Sequence, residues 1–265
     1  MKPAPFEYAA PHSLEEALAL LGEEVTPLAG GQSLVPMLNF RLARPAKLVD
    51  LNGLNELDYV REEGGVLRIG AMTRQAALER SELVATRCSL LTEAVRHVGH
   101  AATRSRGTVG GSVAHSDPAG ELPAALAALD ARFHLRSPSA SRELGADEFF
   151  VGPLMTARAE NELLTEVAVP LPPDGARSAF AEYAGTQGDW AIAGAAVVLA
   201  PDGDASIALL AAGPTPLRAR EAEAALAGGR AAAEAAALAA APIANEHRRA
   251  LTTELVRRAI ESASE

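Results

Sequence analysis

An α+β architecture of two or three packed lobes is the fold class the sequence predicts, on three observations. Segments with strand period and segments with helix period follow one another without the strict βαβ alternation of a doubly wound sheet. A chain of 265 residues, 48% hydrophobic and 22% charged, can bury a substantial core and fill more than one lobe. The stretch Leu171-Pro172-Pro173-Asp174-Gly175 interrupts the pattern and marks a boundary.

Taken in order, Ser13-Leu14-Glu15-Glu16 is a capping box that opens a helix through Leu14, Ala17, Leu18 and Leu21, ended by Gly22. A strand over 25–28 runs into Ala29-Gly30-Gly31-Gln32-Ser33-Leu34, a helical turn or two follows to Arg41, and 47–51 is a strand. A second lobe begins near Tyr59, with a strand over 66–69, a helix capped by Thr73 and running to Arg80, and another helix over 89–98. Small and polar residues from Ala101 through Thr108-Val109-Gly110-Gly111-Ser112 are read as a loop that leads to an apolar helix over 121–129. Alternation over 131–136 and 162–169 fits strands with one buried face, ended by Pro170. Beyond the linker, 191–199 and 205–210 form a hairpin around Pro201-Asp202-Gly203. The alanine-rich tract 222–241, broken only at Gly228-Gly229, is helix, because alanine is the strongest helix former.

Composition excludes several classes. The net charge is −10 and no basic run is present, so the surface is not built for nucleic acid, and an anionic ligand must be held by local geometry. No stretch approaches the roughly 20 apolar residues of a membrane span. The segment Met1 to Tyr8 lacks a signal-like n-region and h-region, so a cytoplasmic location is expected. Cys88 is the single cysteine, which rules out an internal disulfide and a Cys-ligated iron–sulfur cluster in this chain. It is expected to be a buried, inert thiol.

Each Gly-Gly pair lies where a strand or loop meets a helix, where missing side chains allow close backbone approach and unsatisfied amides can face an oxyanion. Ser33, Thr108 and Ser112 add hydroxyls. Two such loops in neighbouring lobes can grip a pyrophosphate from both sides, and amide contacts work even on an acidic protein. The alternative is that the glycines only make tight turns. Neither loop is G-x-G-x-x-G or a P-loop, so Rossmann and NTPase readings are disfavoured.

The first loop, Ala29 to Leu34, and the second, Thr108 to Ser112, resemble the two FAD loops of the FAD-binding (medium) subunits of molybdenum hydroxylases of the carbon monoxide dehydrogenase and xanthine dehydrogenase type. Val98-Gly99-His100, Arg104-Ser105-Arg106-Gly107, His115-Ser116-Asp117-Pro118, Glu121-Leu122-Pro123, Gly188-Asp189-Trp190-Ala191, Pro216-Leu217-Arg218 and Arg248-Arg249 recur in the family's order. The resemblance implies a two-lobed FAD-binding domain of the PCMH or vanillyl-alcohol-oxidase-like kind, with lobe 1 over 1–57 and lobe 2 over 58–173. A smaller α+β C-terminal domain over 174–265 would pack on the outside.

It implies non-covalent FAD held by Ala29, Gly30, Gly31, Gln32, Ser33, Leu34, Thr108, Val109, Gly110, Gly111 and Ser112. Glu121 would contact the cofactor, Leu164 would lie near the flavin and Trp190 would cover its ring. For Trp190 the alternative is a core aromatic in a strand. Asp189 is read as structural. Molybdopterin and [2Fe–2S] clusters would sit on a large and a small partner subunit, in a dimer of heterotrimers, with FAD passing electrons to an external acceptor. Gln32 and Ser112 replace the family's frequent His and Asn, and Gly185-Thr186 stands where relatives commonly carry basic residues.

Other constellations are weaker. His97 and His100 are spaced to share a helical face with His115 not far on, but no Cys or Glu completes a metal-ligand pattern. No nucleophile elbow supports Ser-His-Asp catalysis. Two rival functions stand beside the subunit reading. A self-sufficient flavin oxidase or reductase would need an acid/base group that the alanine-rich C-terminal region does not offer, and a scaffold that had lost its flavin would be colourless. A branched side chain at Gly31 or Gly110 is expected to block the cofactor and leave the fold intact.

Overall fold

The computed structural model describes residues 2–265. In the first part of the chain, strands Glu7–Ala9, Lys47–Asp50 and Val25–Leu28 lie in that spatial order as a parallel three-stranded sheet. Helix Leu14–Ala19 packs Leu14, Ala17 and Leu18 against Val49, Leu51 and Leu54. Only half of the expected capping box forms. Ser13 Oγ accepts from the Glu16 amide at 3.2 Å, but the Glu16 carboxylate accepts from the His12 amide at 2.8 Å, one residue earlier than the motif requires.

The second part is a five-stranded antiparallel sheet in the order Val60–Glu63, Val66–Gly70, Leu163–Pro170, Arg132–Arg136, Ser141–Leu144. Helices Gln75–Arg80, Glu82–Arg87, Ser89–His97, Ala101–Arg106, Val109–His115 and Glu121–Ala128 accompany it. Phe133 stacks on Phe149 at 4.5 Å between ring centroids, and Phe150 meets both edge-on, which gives this core its aromatic centre.

Two local expectations are corrected here. Thr73 does not cap the helix at 75. Its Oγ1 accepts from the Tyr59 amide and donates to the Tyr59 carbonyl, and Arg74 occupies the cap position. The stretch read as a loop from Ala101 to Ser112 is two short helices, so the second Gly-Gly pair sits in the first turn of one of them. The physical reason is Thr108, whose Oγ1 accepts from the Gly111 amide at 3.0 Å and caps a helix that glycine content alone argues against.

The last part is a four-stranded antiparallel sheet, Arg177–Ala184, Ala191–Leu199, Ala205–Leu210 and Leu217–Arg218, with helices Arg220–Ala227, Ala232–Ala240 and Glu246–Ser264. The expected hairpin is present and a further strand precedes it. Alternation along the strands sends Val197, Ile207 and Leu209 toward the C-terminal helices, and Ala196, Val198 and Ala208 into the core of the second part. Both faces of this sheet are therefore covered. Arg218, with a side chain only 7% exposed, ties the unit to its neighbour by donating to Asp130, Glu223 and the Ala127 carbonyl.

Glycine is required at the junction of the first two parts. A Cβ at Gly110 would stand 2.7 Å from the Ala71 carbonyl oxygen and 2.8 Å from its Cα, and one at Gly30 would overlap the backbone of Arg106 and Gly107. The expectation that a branched side chain at Gly110 leaves the fold intact is thereby overturned. Gly110→Val should destabilise the protein by about 1–3 kcal/mol or more. Chemical denaturation without flavin measures this, and an unchanged midpoint would contradict the packing.

Candidate functional site

The first two parts of the chain face each other across a cleft of about 680 Å³, to which Gly188, Asp189 and Trp190 of the third also contribute. That is the size of a cavity that encloses a sizeable small molecule.

One wall is the first glycine loop. Strand Val25–Leu28 delivers the chain to Ala29, whose carbonyl accepts from Asn52 Nδ2 at 2.9 Å, and Arg74 Nη2 donates in turn to Asn52 Oδ1 at 2.7 Å. This chain of bonds holds the loop from behind. Gly31 turns it at φ +74°, a conformation that suits glycine. Among the described residues, the amides of Gly30, Gly31, Gln32, Ser33 and Leu34 donate no hydrogen bond within the chain, and all these residues line the cleft. A row of free amides is an anion site without any side-chain charge.

The opposite wall differs from expectation. The Val109 amide donates to the Thr73 carbonyl, that of Gly110 to Ala71, that of Gly111 to Thr108 Oγ1 and that of Ser112 to the Thr108 carbonyl. From Val109 to Ser112 the second loop has no spare amide to offer an oxyanion, and in this loop only the Thr108 amide donates to nothing among the described residues. Val109 does not line the cleft at all and is buried in the core. Thr108, Gly110, Gly111 and Ser112 do line it. The glycines make a wall without side chains, and Ser112 keeps a hydroxyl free of any hydrogen bond among the described residues.

The remaining expected residues converge on the same cleft. Leu164 lines it from a strand and is otherwise buried. Trp190 lines it with 75% of its surface exposed, so it is a rim residue and the core-aromatic alternative does not hold. Glu121 opens helix Glu121–Ala128 and is buried in the wall. Burial pushes its carboxyl up to about 7; the neighbouring Glu182 adds to this and His97 opposes it. Glu182 is itself buried, with Oε1 3.7 Å from His97 Nδ1 and Oε2 without a partner.

His97 and His100 do not share a helical face. His97 ends one helix, Gly99 at φ +47° breaks the chain, and His100 caps the next. His100 instead packs under the third unit, since a Cβ at Gly188 would stand 2.6 Å from its ring. Cys88 lies outside the cleft, against a small separate cavity near Pro172 and Ser178, and burial pushes its thiol up to about 12. The sequence did not single out Gln75, Thr103, Asp117 or Arg158, and weighed His115 only for a metal site; all five line the cleft. Only His115 and Asp117 fell within a motif.

Comparison with known proteins agrees with this geometry. The profile of the FAD binding domain in molybdopterin dehydrogenase matches residues 4–172. The carbon monoxide dehydrogenase medium chain of Hydrogenophaga pseudoflava is 43% identical over 225 residues, which is 82% of this chain and 78% of that one. The 6-hydroxypseudooxynicotine dehydrogenase complex subunit alpha of Paenarthrobacter nicotinovorans is 41% identical over 231 residues, 84% of this chain and 78% of that one. A solved structure of the Hydrogenophaga pseudoflava carbon monoxide dehydrogenase that lacks the Mo-pyranopterin moiety superposes with a TM-score of 0.93 at 40% identity, covering 100% of this chain and 99% of that one. Sequence, fold and cleft together show that the chain belongs to the family of FAD-binding medium subunits of multi-subunit molybdenum hydroxylases.

Proposed function

We propose that this chain holds one FAD non-covalently in the cleft between residues 1–57 and 58–173, with 174–265 as the unit that packs beside it. The observation that carries the reading is the row of free amides from Gly30 to Leu34 in a cleft of about 680 Å³. The amides suit the pyrophosphate, and the glycine wall with the Ser112 hydroxyl suits close approach of the ribityl chain. Glu121 and Leu164 line the same space, and Trp190 stands at its rim. Cys88, a thiol that could form a covalent flavin link, is buried elsewhere, which supports non-covalent binding.

Bound FAD supplies the electron-transfer chemistry, and the protein's part is to hold and orient the ring. The chain would receive electrons from [2Fe–2S] clusters on a small subunit, which are fed from a molybdopterin site on a large one, and deliver them to an external acceptor. With one cysteine it cannot build such a cluster by the usual thiolate ligation. We extend the reading to a dimer of heterotrimers in the cytoplasm, as the family resemblance implies.

Two outcomes are expected. Acid denaturation should release FAD into the supernatant, and the isolated chain should show no flavin reduction by organic substrates until molybdenum and iron–sulfur partners are added. Colour retained in the pellet would contradict non-covalent binding, and rapid reduction by a substrate with the chain alone would point to a self-sufficient flavoenzyme.

Ser33 is exposed and stands at the cap position of helix Leu34–Asn39, where Asp is well tolerated. Ser33→Asp should therefore fold normally and place a carboxylate among the free amides. FAD affinity should fall roughly tenfold or more, about 1.4 kcal/mol. Flavin titration decides it, and undiminished affinity would remove the pyrophosphate from this loop.

Glu121 makes the protein without flavin pH-sensitive. Its carboxyl is raised from 4.5 to about 7, so the folded state holds the proton more tightly than the unfolded state does. Stability from this group is present below pH 4.5, declines as pH rises toward 7, and the burial penalty is complete above that, on the order of 3 kcal/mol. Glu121→Gln should gain stability relative to the parent across this window. Equal differences in denaturation midpoint at pH 4.5 and pH 8 would contradict it.

A further inference from the structure

The cleft wall carries one permanent cation among its described residues, Arg158, alongside His115, Asp117, Glu121 and Asp189. Arg158 belongs to neither glycine loop. It follows the short strand Met155–Thr156, which pairs with Phe150–Gly152. The segment is anchored to the end of the second glycine helix: the Leu154 amide donates to the Ser116 carbonyl at 2.9 Å, and Ser116 Oγ donates to the Met155 carbonyl at 3.2 Å. The Ala157 amide donates to the Phe149 carbonyl at 2.8 Å. The guanidinium thus stands on a fixed base.

Its own bonds are one-sided. Nη1 donates to the carbonyls of Ala159 and Glu162 at 2.9 and 2.8 Å, while Nε and Nη2 donate to nothing among the described residues. Of the two nearby carboxylates that favour its charge, Glu160 makes no ion pair with it, and Glu162 is already taken, accepting from Arg142 Nε and Nη2 at 2.8 Å each and from the Ala159 amide. Arg158 is half-buried, and burial pulls its charged form below the usual stability of a guanidinium. A partly desolvated cation with a free fork is completed by an anionic oxygen, and a guanidinium presents that fork to oxyanions in a fixed geometry.

We propose that Arg158 is a cofactor-binding residue whose free Nε and Nη2 pair with an anionic group of the dinucleotide bound in this cleft. The proposal rests on the FAD reading above. Two parts of FAD carry such a group, the pyrophosphate in either redox state and the ring when it is reduced, and the same charge would serve either. The amide row of the first loop supplies partial charges only, so Arg158 would be the one full positive charge that the chain places on its ligand. An isolated acidic protein gains most from such a residue, because the long-range field opposes an anion and only short-range pairing can offset it.

The test uses the full-length chain and Arg158→Gln, which keeps a donor for the two carbonyls and removes the charge, with Arg158→Met as a second variant that keeps an apolar stem. Flavin-free thermal unfolding confirms that each variant is folded before binding is measured. Kd is then determined for FAD and for riboflavin, which lacks the pyrophosphate, and the midpoint potential is measured for bound FAD. A loss of FAD affinity of tenfold or more with riboflavin affinity unchanged assigns the pairing to the pyrophosphate. An unchanged affinity for oxidised FAD with a more negative midpoint potential assigns it to the reduced ring. Folded variants that match the parent in FAD affinity, riboflavin affinity and potential overturn the proposal. A parent chain that binds no FAD at all overturns the underlying reading instead, so the two failures are distinguishable.

Discussion

Backbone lies against backbone where the two halves of the cleft meet, and the site depends on that contact. Gly30 approaches the carbonyl of Arg106 and the Cα of Gly107, and Gly110 lies on Ala71, with no room for a Cβ at either place. Interiors are packed at near-crystal density, so such a contact is either made closely or lost. Around it, the Arg106 carbonyl accepts from Arg74, Arg74 donates to Asn52, and Asn52 donates to Ala29. The relation of the two walls is therefore set by the main chain and a short polar network. The cleft is what remains between surfaces that cannot come closer.

That constraint divides the work between the two glycine loops. In the second, the amides from Val109 to Ser112 are spent on the Thr73, Ala71 and Thr108 acceptors, and this spending is what lets a helix with two glycines in its first turn form at all. The glycines there serve packing and a bare wall. In the first, one strand end and one short helix leave the intervening amides without acceptors. Similar dipeptides thus do opposite things. A polar group removed from water seeks a partner; in one loop the protein supplies it, while in the other the amides face the open cleft.

Electrostatics follows the same local logic. The chain carries a net charge of −10, yet its cleft is suited to an anion. Amide dipoles act over a few ångströms and are indifferent to distant carboxylates screened by solvent. The one carboxylate well buried in the cleft wall, Glu121, is held near neutrality by burial and by Glu182, which removes much of the repulsion it would otherwise exert. The His97–Glu182 pair beneath it links helix Ser89–His97 to strand Arg177–Ala184, so the third unit is joined to the cleft by charge as well as by shared core.

The amino-acid sequence by itself determined the class of fold, the helices at 14–19, 89–97 and 121–128, the hairpin near 201–203 and both glycine loops as places on one site. These are local properties: period, capping residues and turn chemistry act within a few residues and need no partner from elsewhere in the chain. Only the tertiary structure decided which amides are free, that 101–106 and 109–115 are helical, that Val109 is core and that Trp190 stands at a rim. It also decided that Arg158 reaches the cleft. Each of these turns on an acceptor, a neighbour or an empty space supplied by residues distant in sequence, such as Thr73 and Ala71 for the second loop and Ser116 for the Arg158 segment. Hydrogen-bond satisfaction and burial are relations between segments, and a single segment does not contain them.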